Sequence, residues 1–555
     1  MFRRVAKSLA EGERIFAPNT TDDDLLCHAN RFFTVMTDFK FLPNAPTLLG
    51  AGRPLQQLSA CYVLPVEDSI EGIFDTLRMT AVVHSKGSGT GFSFSKLRPK
   101  GAPIATGGFS TGAVSFMRVF DAETEVIKNG GTGWGANMGV LRCDHPDIRE
   151  FVAAKSARSG LQNFNISVGV TDEFMRLSRT GGSFPLRDPR TGEVVDSVDA
   201  RWLLDLIARE AWKTGDPGLL FLDRIERDNP TPTLGRIEAT NPCGEAPLLP
   251  FEACWLGGIN LAAHLDERTG EISFPSLRET CSAAARMMDN AIEVSRYPLP
   301  QIRAATHRTR KIGIGVMGFA DLLIRMRIPY GSSESDSLAR LLMGAIRSYL
   351  DEDTAELAAE RGAFPAFGYS IFSNAGGIQR RNATMTANAP NSTIAAIAGC
   401  SSGVEPLFSI SYTKLLASGD RLHEVNRDFL RVARERGFYS EELLEDIRGG
   451  VSIQELPAVP EDVKRVFVTA HDIAVADHIR IQAAFQDYTE LAVAKTVNLP
   501  ASASPDDVRA AFLAAHELGC KGITCFRDGC LDRPFLEPSR KETEVAAGAA
   551  CPTCR

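Results

Sequence analysis

Short apolar runs rich in Val, Ile and Phe alternate with amphipathic helical patterns along almost the whole chain. No low-complexity segment, charge block or fixed-period repeat interrupts them before about Gly529. That alternation predicts an α/β architecture, because strands and the helices between them bury their apolar faces in layers. Phe164-Asn-Ile-Ser-Val-Gly-Val170 and Lys521-Gly-Ile-Thr-Cys-Phe526 read as strands. The stretch from Trp202 to Trp212 has helical spacing. A second helix is capped by Ser504, opened by Pro505 with Asp507 in its first turn, and ended by Gly519, with Val508, Ala511, Phe512 and Ala515 on one face. At 555 residues, such a fold buries a large core without disulfide staples. Pattern alone leaves open whether the sheet is open or closed.

A net charge of −8 argues against a protein that coats a nucleic-acid polymer, which needs a clustered basic face. Nucleotides stay open, since backbone N–H groups hold a few phosphates without net positive charge. The basic N-terminus lacks the apolar run of a signal peptide, and no stretch approaches the roughly 18 apolar residues of a membrane span. The expectation is a cytoplasmic chain with no membrane partner, whose 12 cysteines mostly stay reduced. After Pro534 the apolar pattern fades into a flexible tail that ends in Cys551-Pro-Thr-Cys554-Arg. That dithiol reads as a redox pair rather than half of a zinc ribbon, because Cys520, Cys525 and Cys530 supply no second tight pair.

The most unusual stretch is Asn241-Pro-Cys-Gly-Glu-Ala-Pro-Leu-Leu-Pro-Phe-Glu-Ala-Cys254. Its prolines and Gly244 forbid a continuous helix, so Asn241, Cys243 and Glu245 belong to an extended or turning loop. In an extended segment residues two apart share a face, which sets an amide, a thiol and a carboxylate side by side. Such a trio suits a reaction that needs a hydrogen-bond donor, a sulfur centre and a general base; a loop with a buried cysteine and a solvated glutamate is the plainer alternative. Ala389-Pro-Asn-Ser-Thr-Ile394 opens a helix with small hydroxyl residues and reads as a phosphate cradle or a capping turn. Gly87-Ser-Gly-Thr-Gly91 reads as an anion nest or a flexible loop. Gly313-Ile-Gly-Val-Met-Gly318 spells a dinucleotide fingerprint, but Arg308-Thr-Arg-Lys311 stands where a buried strand is needed, so its glycines are read as close strand-to-helix packing.

Taken together the segments resemble a ribonucleotide reductase of the adenosylcobalamin-dependent class II, nearly end to end. The resemblance is carried by Leu42-Pro-Asn-Ala-Pro-Thr47, Leu58-Ser-Ala-Cys-Tyr-Val-Leu-Pro-Val-Glu-Asp-Ser69, Gly89 to Gly101, Asn163-Phe-Asn-Ile-Ser167, Asn241-Pro-Cys-Gly-Glu245, Glu252-Ala-Cys254, Lys311 to Gly318, Ala389-Pro390, Ser401-Ser-Gly-Val-Glu-Pro406 and Lys521-Gly-Ile-Thr524. It implies a ten-stranded α/β barrel with a central finger loop, flanking helices and a flexible C-terminal tail. Residues 1–40 would be a remnant of an N-terminal helical region, 41–530 the catalytic barrel and 531–555 the tail.

The resemblance also implies roles. Cys243 becomes the thiyl radical that takes the ribose 3′ hydrogen, Glu245 accepts the 3′-hydroxyl proton, and Asn241 binds the substrate. Cys61 and Cys254 give two electrons and end as a disulfide, which Cys551 and Cys554 relay to thioredoxin or glutaredoxin. Thr47, Ser59, Ala60, Pro390, Asn391, Ser392 and Thr393 bind the ribonucleotide; Asp68, Ser69 and Arg98 bind a deoxynucleotide effector at a homodimer contact. No Tyr-Tyr pair marks a class I radical path, and the tail lacks a glycyl-radical segment. Where the family usually has two arginines, this chain has Gly133-Trp134, which unsettles the coupling of effector to substrate base. The alternatives are a class I-type large subunit that needs a separate radical subunit, and a degenerate nucleotide-binding regulator.

Overall fold

The computed structural model describes residues 1–105, 107–130, 135–156, 160–373, 377–415 and 421–530. Cys61–Val63, Gly89–Ser93, Asn137–Arg142, Phe164–Val170 and Gly218–Phe221 run parallel in that order. A second parallel set begins with Ala253–Cys254 and its continuation Leu256–Asn260. It proceeds through Gly313–Met317, the extended segment 384–388, the segment 491–499 that contains Thr496–Leu499, and Gly522–Arg527. The sets meet antiparallel at two seams, Cys254 opposite Cys61 at one and Gly522 opposite Leu220 at the other. Among the described residues ten strands therefore close into the α/β barrel that the sequence implied, the closure being what pattern alone had left open.

Amphipathic helices cover the outside. Ala200–Thr214 starts where the Asp199 carboxylate accepts from Trp202 N and stops at Gly215 in the left-handed region. Pro505–Glu517 carries a full capping box, Ser504 and Asp507 each satisfying the other's backbone. The N-terminal helices Phe2–Ala10 and Asp22–Thr37 lie on Phe274–Val294. They are locked there by buried Glu13, which accepts from Arg286, Arg361 and Asn290. The Phe16 ring beside it is flanked by Arg361 and Arg381, each 4.6 Å from its centroid.

A hairpin, Ala239–Thr240 paired with Pro247–Leu248, enters the barrel and crosses the Gly89–Ser93 strand. A Cβ on Gly91 would lie 1.8 Å from the Thr240 carbonyl oxygen. Gly89 and Gly91 are thus buried strand residues that let the hairpin pass, and they form neither an anion nest nor a flexible loop. Gly315 is similar: a Cβ there would sit 2.3 Å from the Ala387 carbonyl. The close neighbour is the adjacent strand rather than a helix, which corrects the packing expected from sequence.

Candidate active site

The hairpin tip is a turn, not an extended run. Asn241 N donates to Ala246 O at 3.2 Å, Gly244 N donates to Asn241 O at 3.1 Å, and Gly244 has φ 86°. Asn241 and Glu245 therefore meet across the base of the turn, Nδ2 to Oε1 at 2.7 Å, while Cys243 stands at its tip. Asn241 Oδ1 also accepts from Ala246 N at 3.0 Å. Both half-barrels hold the tip: Asn165 Nδ2 donates to Pro242 O at 2.8 Å from one, and Ala492 N donates to Glu245 O at 2.9 Å from the other. Asn165 lies in a motif singled out from sequence, yet only the closed barrel shows what it touches.

Asn241 and Glu245 are buried and Cys243 is exposed. The thiol is open to solvent yet has protein atoms densely around it. Burial first, and then the nearby Glu245 and Cys61, push its pKa well above the usual thiol value. Cys61 and Cys254 are directly opposed across the antiparallel seam, and both are free thiols. The hydrogen bond with Cys254, burial, and the Cys254 and Glu245 charges push the Cys61 pKa well up, and Asn241 hydrogen-bonds the same sulfur. Ser59 Oγ braces the pair by donating to Cys254 O at 2.6 Å and to Cys61 O at 3.3 Å.

Glu245 is pushed up to about 7 by burial, with its own backbone N–H and Asn241 opposing. Its Oε2 is buried and has no hydrogen-bond partner among the described residues. Five residues from three chain segments thus form one cluster, with two thiols facing each other, a third at the turn tip and a carboxyl poised to exchange a proton near neutrality. Thiols kept protonated are hydrogen donors, which thiolates are not.

Around this cluster the other sequence candidates fall into groups. Thr47 is fully buried and its hydroxyl donates to Leu58 O at 2.9 Å, so it shapes the segment that leads to Ser59 and Ala60. Ala60 O accepts from Gly89 N at 3.0 Å. Pro390 and Asn391 precede the helix Ser392–Ala398, with Asn391 at φ 58° and its amide donating to Val316 O at 3.1 Å. Ser392 and Thr393 are exposed. A Cβ on Gly258 would lie 2.8 Å from Asn391 Nδ2, so this loop rests on the continuation of the Cys254 strand. Asp68, Ser69 and Arg98 form a separate cluster: Arg98 Nε contacts both Asp68 carboxylate oxygens at 2.9 and 3.1 Å, and Ser69 caps Ile70–His84. Gly133, Trp134, Cys551 and Cys554 lie outside the described residues.

Comparison with known proteins agrees with this geometry. Residues 59–526 match the ribonucleotide reductase barrel domain and residues 1–56 the ribonucleotide reductase all-alpha domain. A vitamin B12-dependent ribonucleoside-diphosphate reductase of Thermoplasma acidophilum is 47% identical over 93% of this chain and 67% of its own length. One of Mycobacterium tuberculosis is 46% identical over 99% of this chain and 80% of its own length. The solved class Id ribonucleotide reductase alpha subunit of Actinobacillus ureae superposes with a TM-score of 0.78 at 22% identity, covering 95% of this chain and 93% of that one, and shares the fold. In sequence and in fold alike, the chain belongs to the ribonucleotide reductase family, and its likeness is to the vitamin B12-dependent members, as its motifs implied.

Proposed function

We propose that the chain reduces ribonucleoside diphosphates or triphosphates to 2′-deoxyribonucleotides in an adenosylcobalamin-dependent reaction. The observation that carries this reading is the cluster itself: an opposed thiol pair and an exposed third thiol beside a carboxyl whose outer oxygen is buried and unpartnered. The residues suit that cofactor, since Cys243 presents a neutral, exposed thiol on a hairpin braced from both sides. When bound, adenosylcobalamin supplies an organic radical by homolysis of its cobalt–carbon bond.

On this reading Cys243 Sγ holds the radical and takes the 3′ hydrogen of the ribose. Glu245 Oε2 takes the 3′-hydroxyl proton, with Asn241 orienting the carboxylate through its 2.7 Å bond. The 2′ hydroxyl leaves as water with a proton from the Cys61–Cys254 pair. Those two thiols lose two protons and two electrons in all and join as a disulfide, one proton leaving in the water and the other hydrogen going to C2′, and Cys243 returns its hydrogen to C3′ as Glu245 returns the proton to the 3′ oxygen. A nucleotide bound over the exposed Cys243 thiol would keep water from the radical. Thr47, Ser59, Ala60 and the loop from Pro390 to Thr393 would hold the nucleotide. Asp68, Ser69 and Arg98 would bind a deoxynucleotide effector; the exposed Ile70 and Phe74 of the adjoining helix support a homodimer contact there. Because thiol exchange needs sulfur-to-sulfur contact, Cys551 and Cys554 would carry electrons in from thioredoxin or glutaredoxin.

The purified chain with adenosylcobalamin and a dithiol, and no second protein, should form deoxynucleotide, which a class I-type subunit would not. Cys243→Ala should abolish this while leaving nucleotide binding within about 3-fold, since the thiol acts on the transition state rather than on binding. Turnover by Cys243→Ala would reject the reading.

A further inference from the structure

The motifs Glu252-Ala-Cys254 and Lys311-Ile-Gly contain two charged residues that the chemistry above leaves unused. Both are 2% exposed, and Lys311 Nζ lies 2.7 Å from Glu252 Oε2. The same oxygen accepts from Leu249 N at 2.8 Å, and Oε1 accepts from Thr309 Oγ1 at 2.7 Å. Glu252 N donates back to Leu249 O at 3.1 Å. The carboxylate therefore closes the corner at 249–252 where the hairpin's return strand turns into the Cys254 strand.

That corner is strained. Phe251 has φ 68°, in the left-handed region that a bulky side chain avoids, and such a residue persists only where its surroundings hold it. Its N–H donates to Val63 O at 2.7 Å, and Val63 N donates to Glu252 O at 3.1 Å, so the corner is zipped to the Cys61 strand as well. Lys311 comes from just before Gly313–Met317, whose first N–H donates to Trp255 O at 2.8 Å. The hairpin exit and the strands of Cys61 and Cys254 are thus registered at one carboxylate. A buried ion pair adds little net stability over apolar side chains of the same volume, so stability gives it no evident purpose.

We propose that Glu252 and Lys311 are positioning residues that fix the hairpin relative to the Cys61–Cys254 pair, setting the electron-donating thiols in register with Cys243. This rests on the roles proposed above. Two activities separate it from a merely structural role. On those roles cofactor-dependent hydrogen exchange with solvent would require Cys243 but not the thiol pair, whereas deoxynucleotide formation would require both. Glu252→Leu/Lys311→Met replaces the pair with apolar groups and avoids a stranded charge; Thr309→Val removes a single hydrogen bond and is the milder probe.

The double variant should keep hydrogen exchange within about 3-fold of the unaltered chain while deoxynucleotide formation falls about 100-fold, the cost of a small misplacement of reacting groups. Thr309→Val should show the same split at roughly 5-fold. Deoxynucleotide formation unchanged in both variants, or lost in step with hydrogen exchange, would overturn the proposal. Activity of the unaltered chain in the same assay checks the underlying function independently.

Discussion

In one half-barrel, Asn137–Arg142 and Phe164–Val170 pair in unbroken register from Asn137 opposite Phe164 to Arg142 opposite Gly169. In the other, segment 384–388 meets its neighbours through isolated bridges, Thr386 to Ile314 and Asn388 to Val493, with flanking backbone bonds from Ile312 N to Thr384 O at 3.0 Å and from Leu491 N to Thr386 O at 3.1 Å, and side chains add further stitching. Asn388 Oδ1 accepts from Val316 N at 3.1 Å and Nδ2 donates to Thr489 at 2.8 Å. Glu490 Oε2 accepts from Met385 N at 2.6 Å, and its other oxygen takes Arg380 at 2.8 Å and Arg347 at 3.2 Å. Lys495, fully buried, reaches Glu405 at 2.6 Å and His478 at 3.0 Å; burial and then that lysine push His478 down to about 3. The pairing of Asn137–Arg142 with Phe164–Val170 is a continuous backbone ladder, whereas segment 384–388 also leans on buried polar side chains, so the two should fail in different ways.

The largest expected effect lies in the second half. Glu490→Leu leaves two backbone N–H groups unpaired and takes one of two carboxylates from Arg347 and Arg380, which keep Asp351, and should cost about 2–4 kcal/mol by denaturant titration; a loss below about 1 kcal/mol would show that the bridges suffice without the carboxylate. Next is the hairpin crossing. Gly91→Ala drives a methyl group into Thr240 O, and deoxynucleotide formation should drop about 100-fold as the hairpin shifts. Activity near that of the unaltered chain would mean that the hairpin has slack.

Smaller is the acid limb at the seam between the halves. Glu245, raised from 4.5 to about 7, is protonated below that pH and cannot accept a proton, so kcat/KM should fall about tenfold per pH unit below the limb. An acid limb near 4.5 would remove Glu245 from that role. The sign for stability is the reverse: a raised carboxyl pKa favours the folded state below 4.5 and loses that contribution as pH rises through about 7. Glu245→Gln should therefore flatten the decline in thermal midpoint over that window. The smallest effect belongs to the continuous ladder, where Ile166→Val should cost about 0.5–1.5 kcal/mol.

The same contrast explains what was legible in the sequence. Phe164–Val170 and Pro505–Glu517 follow from local apolar spacing and capping residues, and both stand where expected. Segment 384–388 gave no strand signal because Thr384, Thr386 and Asn388 are polar residues satisfied only by distant partners. Arg310 and Lys311 made the glycine run at 313–318 look badly placed for a buried strand, yet both are buried against Asp289 and Glu252, and Gly313–Met317 is a buried strand. In the candidate site, prolines and residue types marked out the Asn241–Glu245 loop. The turn that joins Asn241 to Glu245, and the pairing of Cys61 with Cys254 across 193 positions of chain, depend on closure of the barrel.

The most direct measurement is one turnover of the fully reduced chain with adenosylcobalamin and ribonucleotide in the absence of any external reductant, followed by alkylation and peptide mapping. Each deoxynucleotide formed should be matched by one Cys61–Cys254 disulfide when Cys551 and Cys554 are replaced by Ser. Deoxynucleotide appearing while Cys61 and Cys254 both remain alkylatable would contradict the account.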